Sequence, residues 1–530
     1  MSITRKRDFL EALCCILLLG MGQASSWWFL APIAAVCGYA LAWHLGKRCT
    51  SPFLTTLTLF SLANLLHFSW LISHPYAYIY AAWIVASILF AIPFALLSLL
   101  VVSKQQPNIH WTIGVAALFT LLEWSYTLLP CGFSFQSAAL HLSWNGAPLQ
   151  IASYIGGIGV AFVVYWTNLL AFLFLEKKIS LSPLLLVAAL PYVAGGFLLW
   201  HRLEEQNQFD GSHQPLRVAL FQMEEPPDIF SSYLPPEELH AQEWHKIFSM
   251  LAPLRAGEVD LAIFPEGAIP FAAQSPLFDA KRLPNEWETS SYIKLSSLDI
   301  CQLLAWSKKM SLLIGLEGRA LDAKSVMKTY NSLFCIQPGQ KNLSRYNKQL
   351  LIPFGEYIPS ETFRSWLSLY GIHDSFSAGE ESVLLTTPKA TIAPFICYEE
   401  TFSTYAVEAA RLNPDLLASV SNDNWFPWVR KEHFELARLR AVEVGKPLIR
   451  SCNQGVSAAV DAMGRTIISR GERKETENGY TIATVSLYSP HTPFMAVGNW
   501  GFAAIFGLIA VVSGLTLSPI SKQRKNPPLR

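Results

Sequence analysis

Apolar positions crowd the first 200 residues of the chain into long runs, at 8–23, 27–45, 53–73, 77–102, 111–129, 149–175 and 182–200. Most approach the ~20 residues that a helix needs to cross ~30 Å of hydrocarbon, so they predict seven spans within 1–200. One further run, from Met495 to about 517, predicts an eighth at 494–518, followed by a short tail at 519–530. Between them, at 201–493, the runs shorten and alternate. Candidate strands lie at 216–223, 260–264, 312–316, 332–337, 392–397, 416–420, 448–452 and 481–485. Helical patterns fall at 236–255, 298–308, 401–412 and 433–444. Strands interleaved with helices predict an α/β sheet domain.

Basic residues orient the spans. Arg5, Lys6, Arg7, Lys47, Arg48, Lys104, Lys177 and Lys178 fall on one side if the spans alternate, and the connections at 24–26, 74–76 and 130–148 hold no Lys or Arg. This asymmetry predicts a cytoplasmic N-terminus, an extracytoplasmic domain at 201–493, and a tail returning Lys522, Arg524 and Lys525 to the cytoplasm. The first run is short, and Arg5-Lys6-Arg7 before it with Gln23-Ala24-Ser25-Ser26 behind it also fits a cleaved leader. The next run starts at once, at Trp27, which favours a helical hairpin.

Composition agrees. Hydrophobic residues make up 52% and charged residues 15%, against roughly 45–50% and 25% in soluble domains. Forty Lys and Arg nearly balance thirty-nine Asp and Glu, so no nucleic-acid partner is implied. The nine cysteines form no CxxC pair, and no HExxH or clustered His/Asp pattern suggests a metal.

Three segments place an ionisable group at the end of an apolar strand, where α/β folds assemble sites. Glu266 follows Phe264-Pro265, Lys348 precedes an apolar Pro/Gly loop ending near Glu356, and Cys397 closes a strand just before a helix. Singly, each fits a turn carboxylate, a surface cation or a packed thiol. Together they supply the base and the cation that a thiol needs to become a nucleophile at neutral pH.

These segments resemble the Glu-Lys-Cys triad of the nitrilase superfamily, and their wording is similar to its membrane-bound branch, the apolipoprotein N-acyltransferases. The resemblance rests on Tyr330-Asn-Ser332, Tyr346-Asn-Lys348, Pro353-Phe-Gly-Glu356-Tyr-Ile-Pro359, Cys397-Tyr-Glu399, Ser421-Asn-Asp-Asn-Trp-Phe426, Arg440-Ala-Val-Glu443 and Asn453-Gln-Gly455, in order along nearly the whole chain. It departs at Met223-Glu-Glu-Pro-Pro, where a Gly-Asn/Asp continuation and a Trp-bearing arm are usual. It departs also at Glu123-Trp-Ser-Tyr126, with Tyr in place of Arg, and at Gly132-Phe-Ser-Phe135 in place of Gly-Phe-Pro-Trp.

The resemblance implies an α-helical polytopic membrane domain joined to an α-β-β-α sandwich, on the periplasmic face of a bacterial inner membrane. It implies a cofactor-free, two-step reaction in which Cys397 takes an acyl group from a phospholipid. The resulting thioester passes that group to the α-amine of a diacylglyceryl-cysteine on an apolipoprotein. Glu266 is then the base and Lys348 an oxyanion donor. Glu356 supports Lys348 and its loop, unless it belongs to a surface ion pair. Glu399 either does the same or shapes the turn, and Tyr398 packs beside the acyl chain or in the core. Glu123, an acid within a span, is a functional candidate, alternatively hydrogen-bonded to Asn168 or Trp-rich neighbours. His433 is expected to be structural. A tethered amidohydrolase with the same triad, and a non-catalytic scaffold or transporter, remain as alternatives.

Overall fold

The structure is a computed structural model that describes residues 3–23, 26–75, 77, 79–105, 107–129, 132–224, 234–284, 293–322, 324–340, 343–353, 355–368, 376–471 and 478–516. The tail at 519–530, part of the suggested cleavage region (24–25), most of the 223–227 departure and Phe354 lie outside the described residues.

Helices occupy every predicted span: Ile3–Met21, Trp28–Arg48, Pro52–Ser73, Ile79–Val102, Ile109–Tyr126, Ala152–Leu175, Leu181–Asp210 and Pro493–Thr516. Among the described residues, six are long and apolar enough to cross a membrane; Ile3–Met21 and Ile109–Tyr126 are the more polar two. The protein is a multi-pass membrane protein. Several polar side chains inside the bundle find partners there, which offsets the cost of their burial. The Trp43 indole donates to Ser98 Oγ (2.9 Å), and Asn168 links two helices by accepting from Tyr39 N (2.9 Å) and donating to Ala35 O (2.8 Å). Gly156 bends the Ala152–Leu175 helix at φ 66°. A Cβ there would lie 2.2 Å from the Phe494 ring, so glycine serves both the backbone and the close approach of the last span.

The expected boundary at 200/201 moves. The seventh helix continues to Asp210 because its polar last turns find partners in the next domain. Arg465 donates to Gln206 (3.1 Å) and Tyr488 to Glu205 (2.5 Å), so one helix belongs to both halves.

The second half is a sandwich. Its strands are β1 (Leu216–Gln222), β2 (Leu261–Ala272), β3 (Phe278–Asp279), β4 (Lys294–Leu295), β5 (Ser311–Leu321), β6 (Met327–Ile336), β7 (Ser344–Asn347), β8 (Leu385–Thr386), β9 (Thr391–Ile396), β10 (Leu416–Asn422), β11 (Leu448–Asn453), β12 (Ser457–Val460), β13 (Thr466–Arg470) and β14 (Gly479–Val485). One six-stranded sheet runs β14-β1-β2-β5-β6-β7, the other β13-β12-β11-β10-β9-β8, and β3 and β4 form a small hairpin. The period-2 alternation of each strand assigns its two faces. Val218, Leu220, Ile263 and Leu313 meet Ile392, Ile396, Val420 and Ile449 between the sheets. Ala219, Phe221, Phe264 and Ile314 pack outward on the helices Pro236–Leu251 and Ser297–Lys308. On the other outer face, Ala393, Phe395, Leu417 and Val460 meet the helices Ser403–Arg411 and Arg430–Val444, which in turn pack against Ile158 and Phe494 of the spans. All eight expected strands and four expected helices are present; the short strands β3, β4, β7, β8, β12 and β13 were not foreseen.

Candidate active site

Parallel strands β1, β2 and β5 in one sheet, and β9, β10 and β11 in the other, end at the same edge of the sandwich. Glu266 lies at a bulge in β2, where pairing with β5 breaks between Phe264 and Ile269. Gly315 of β5 faces that bulge. A Cβ on it would lie 2.6 Å from Glu266 Cα, so the close approach requires glycine. Lys348 follows β7 and is tied by its own N–H to Asn331 O of β6 (2.8 Å). Cys397 follows β9 as the first residue of a tight helical turn, Cys397–Thr401, with φ +55°. A non-glycine residue held in the left-handed region signals a backbone constrained by its surroundings, a common trait of active-site turns.

The three predicted side chains are all buried. Lys348 Nζ lies 3.3 Å from Glu266 Oε1 and 2.8 Å from Glu356 Oε1. Asn331 Nδ2 donates to the same two carboxylates, at 2.6 and 2.9 Å. Glu356 Oε2 accepts from Ile352 N (2.8 Å), and Asn453 donates to the backbone O of Glu266 (2.9 Å). Glu356 is therefore a buried partner of Lys348, not half of a surface ion pair. Asn331 is a member that sequence reasoning quoted only as part of a motif.

Electrostatics follow from this packing. Burial pushes the Glu266 carboxyl up, Lys348 pulls it back, and Glu356 adds to the rise. Burial alone would lower the Lys348 ammonium, but Glu266 and Glu356 more than reverse this and keep it charged. The Cys397 thiol is raised by burial and by Glu266, and lowered by Lys348. Resting Cys397 is a thiol, and its thiolate needs a base and a cation together.

Glu399 does more than shape the turn. Its carboxylate accepts from Tyr346 Oη (2.8 Å), Gln349 N (2.6 Å), Leu350 N (3.1 Å) and Ile396 N (2.8 Å), pinning the chain after Lys348 to the strand before Cys397. Burial raises it to about 7, against these donors. Tyr398 Oη donates to Gly132 O (3.0 Å), and its ring stacks on Phe135, centroids 6.0 Å apart. This residue thus joins the nucleophile's turn to the connection between the fifth and sixth spans. Glu123 accepts from Tyr165 Oη (2.6 Å), Ser137 Oγ (3.1 Å) and Ala138 N (3.0 Å), while Asn168, the partner of the alternative reading, bonds Tyr39 and Ala35 instead.

A buried charge network behind Cys397 was not foreseen. His433 lies between Asp423 (2.8 Å) and Glu400 (2.9 Å), Arg450 binds Glu400 (2.8 Å) and Asp423 (3.3 Å), and His433 Nε2 reaches Cys397 O at 3.3 Å. Two carboxylates outweigh the burial that opposes a charged imidazole, and His433 rises to about 9. The sequence signal was Arg450 itself, a cation in an otherwise apolar strand that needs buried partners. Because the folded value lies above the unfolded ~6.5, the stabilisation from protonated His433 is whole below ~6.5 and disappears as pH climbs through about 9. His433→Gln is expected to flatten that alkaline decline in melting temperature, read in detergent between pH 6 and 10.

The two-sheet sandwich with this cluster at its strand ends defines a carbon-nitrogen hydrolase domain, and residues 217–489 match the carbon-nitrogen hydrolase family model. Residues 15–170 match that of the apolipoprotein N-acyltransferase N-terminal domain. With both halves matched in this order, the chain belongs to the apolipoprotein N-acyltransferase family. It is 30% identical to the apolipoprotein N-acyltransferase of Chlamydia caviae over 489 residues, covering 86% of this chain and 87% of that protein. It is 29% identical to that of Haemophilus influenzae, covering 75% and 73%. Among solved structures, a CN-hydrolase superfamily protein from Xanthomonas campestris aligns with 54% of this chain and 98% of its own, at 20% identity and a TM-score of 0.36.

Proposed function

We propose that the protein moves a fatty acyl group from a membrane phospholipid to the α-amine of the N-terminal diacylglyceryl-cysteine of apolipoproteins, by way of a thioester on Cys397. The observation that carries the reading is one chain uniting a buried Glu266–Lys348 pair beside Cys397 with a polytopic bundle, in a family of this name. Both substrates hold acyl chains that leave a bilayer only at ~0.8 kcal/mol per CH₂, so the thiol has to work at the membrane.

In the first step Glu266 accepts the Cys397 proton, the sulfur attacks the ester carbonyl, and Lys348 balances the oxyanion. The C–O bond breaks, Glu266 returns its proton to the leaving alcohol, and a lysophospholipid departs. In the second, the acceptor amine attacks the thioester while Glu266 takes its proton. The C–S bond breaks, the thiolate is reprotonated, and an amide remains. Asn331 and Glu356 hold Lys348 and Glu266 in register, and Glu399 keeps the Lys348 loop against the nucleophile. With the positive-inside orientation, this chemistry takes place on the periplasmic face of the inner membrane.

Hydrolysis by the same triad is not favoured, because the first half matches an acyltransferase-specific domain. The test is reconstitution in vesicles holding a phospholipid with a labelled acyl chain. Label should stay on the enzyme until a diacylglyceryl-cysteine peptide is added and then appear as its amide; release as free fatty acid at the same rate without peptide would overturn the transferase reading.

A further inference from the structure

The segment that follows β10 carries a feature the catalytic chemistry does not use. Trp428 is 63% exposed and Trp425 37%, although large aromatic rings are ordinarily buried. Both are held against the connection between the third and fourth spans. The Trp425 ring stacks on His74 with centroids 5.7 Å apart, and Trp428 N donates to Ser73 Oγ at 3.4 Å. Ser73 is the last residue of the third span's helix, so these rings lie at the level where that span ends. Tryptophan is enriched at that depth, where an apolar ring with a polar N–H suits the boundary between acyl chains and headgroups. Between the two, Phe426 turns inward onto Trp70 (5.3 Å), which packs on Phe135, the ring that Tyr398 stacks on.

Charge gives a second, independent observation. The helix Arg430–Val444 opens with Arg430 and Lys431, cations at the end where the helix dipole disfavours them. Neither is in an ion pair among the described residues, and Lys431 is exposed. At a membrane surface two such cations are complemented by anionic headgroups, at about 1 kcal/mol for each cation.

We infer that residues 425–431 form a docking surface for the anionic phospholipid headgroups of the leaflet facing the catalytic domain, with the Trp425 and Trp428 rings in the interface and Arg430 and Lys431 on phosphates. The catalytic domain thereby grips lipid directly, at a surface linked through Phe426, Trp70 and Phe135 to Tyr398 on the nucleophile's turn, beyond what its spans provide. The inference rests on the membrane placement of the spans and is independent of the acyl-transfer chemistry.

The experiment uses the full-length protein carrying Cys397→Ala, so that turnover plays no part, with a benzophenone amino acid at position 428 or, as a control, at position 306. Trp306 is 69% exposed and lies on the outer helix of the opposite sheet. The proteins are placed in vesicles of phosphatidylcholine with or without phosphatidylglycerol and irradiated, and lipid adducts are counted by mass spectrometry. Position 428 should yield phospholipid adducts enriched in phosphatidylglycerol and position 306 few. Arg430→Glu with Lys431→Glu should reduce the phosphatidylglycerol enrichment about fivefold or more, the effect of losing even one cation near an anionic surface. Equal adducts at both positions, or none at 428 in protein whose melting temperature is unchanged, would overturn the proposal. Adducts at 428 with no dependence on phosphatidylglycerol would remove the role of the two cations.

Discussion

Lys348→Met is expected to lower the rate of acyl-enzyme formation by at least ~10²–10³, the usual effect of removing one oxyanion donor from a preorganised site. Two features argue for the upper part of that range. Lys348 is completely buried, so water cannot stand in for the ammonium, and methionine fills most of its volume without the charge. The loss also reaches the base: with the cation gone, Glu266 and Glu356 face each other across Asn331, whose amide donates to both. The Glu266 carboxyl, already raised by burial, then rises further, and the acid limb of the rate profile moves to higher pH. Single-turnover acylation measured from pH 5 to 9 reads both effects. A variant slowed uniformly, with its acid limb unmoved, would mean that Lys348 acts on the oxyanion alone.

The second large effect concerns stability. Arg450→Met leaves Glu400 and Asp423 buried with only His433 between them, and breaking a buried ion pair at one partner costs ~3–5 kcal/mol. The guanidinium also donates to Val456 O (2.5 Å), which loses its partner. Arg450→Met is expected to melt well below the parent in detergent. Adding Glu400→Gln should recover part of the loss, because Asp423 and His433 then balance. If the double variant melts no higher than the single one, packing around the Arg450 side chain, not charge, accounts for its contribution.

Much of this architecture was written in local pattern. Most of the eight long strands read as near-continuous apolar runs because they are buried both between the sheets and under helices, and Glu266, Lys348 and Cys397 stood out at strand ends. β3, β4, β7, β8, β12 and β13 were harder to see, since strands of two to five residues are too short to show a period. The run of the seventh helix to Asp210 was hidden for another reason. His201-Arg202-Leu203-Glu204-Glu205-Gln206 reads as the polar start of a soluble domain, yet it stays helical because Gln206 and Glu205 meet Arg465 and Tyr488 more than 250 positions away. The Glu400–His433–Asp423–Arg450 network has the same character: four charges on four separate elements acquire meaning only when the fold brings them behind Cys397. Glu399 lay in plain view two residues from the nucleophile, but its four donors come from both sides of the site, so its bracing role needed the three-dimensional arrangement.

The acyl-enzyme on Cys397 is tested most directly by mass spectrometry of protein taken from membranes, quenched in acid and digested without strong nucleophiles. A thioester route requires a fatty acyl mass on the peptide containing Cys397, removable by hydroxylamine, absent in Cys397→Ala, and lost when the acceptor peptide is supplied before quenching. An acyl group on a different cysteine, or active enzyme that never carries one, would contradict it.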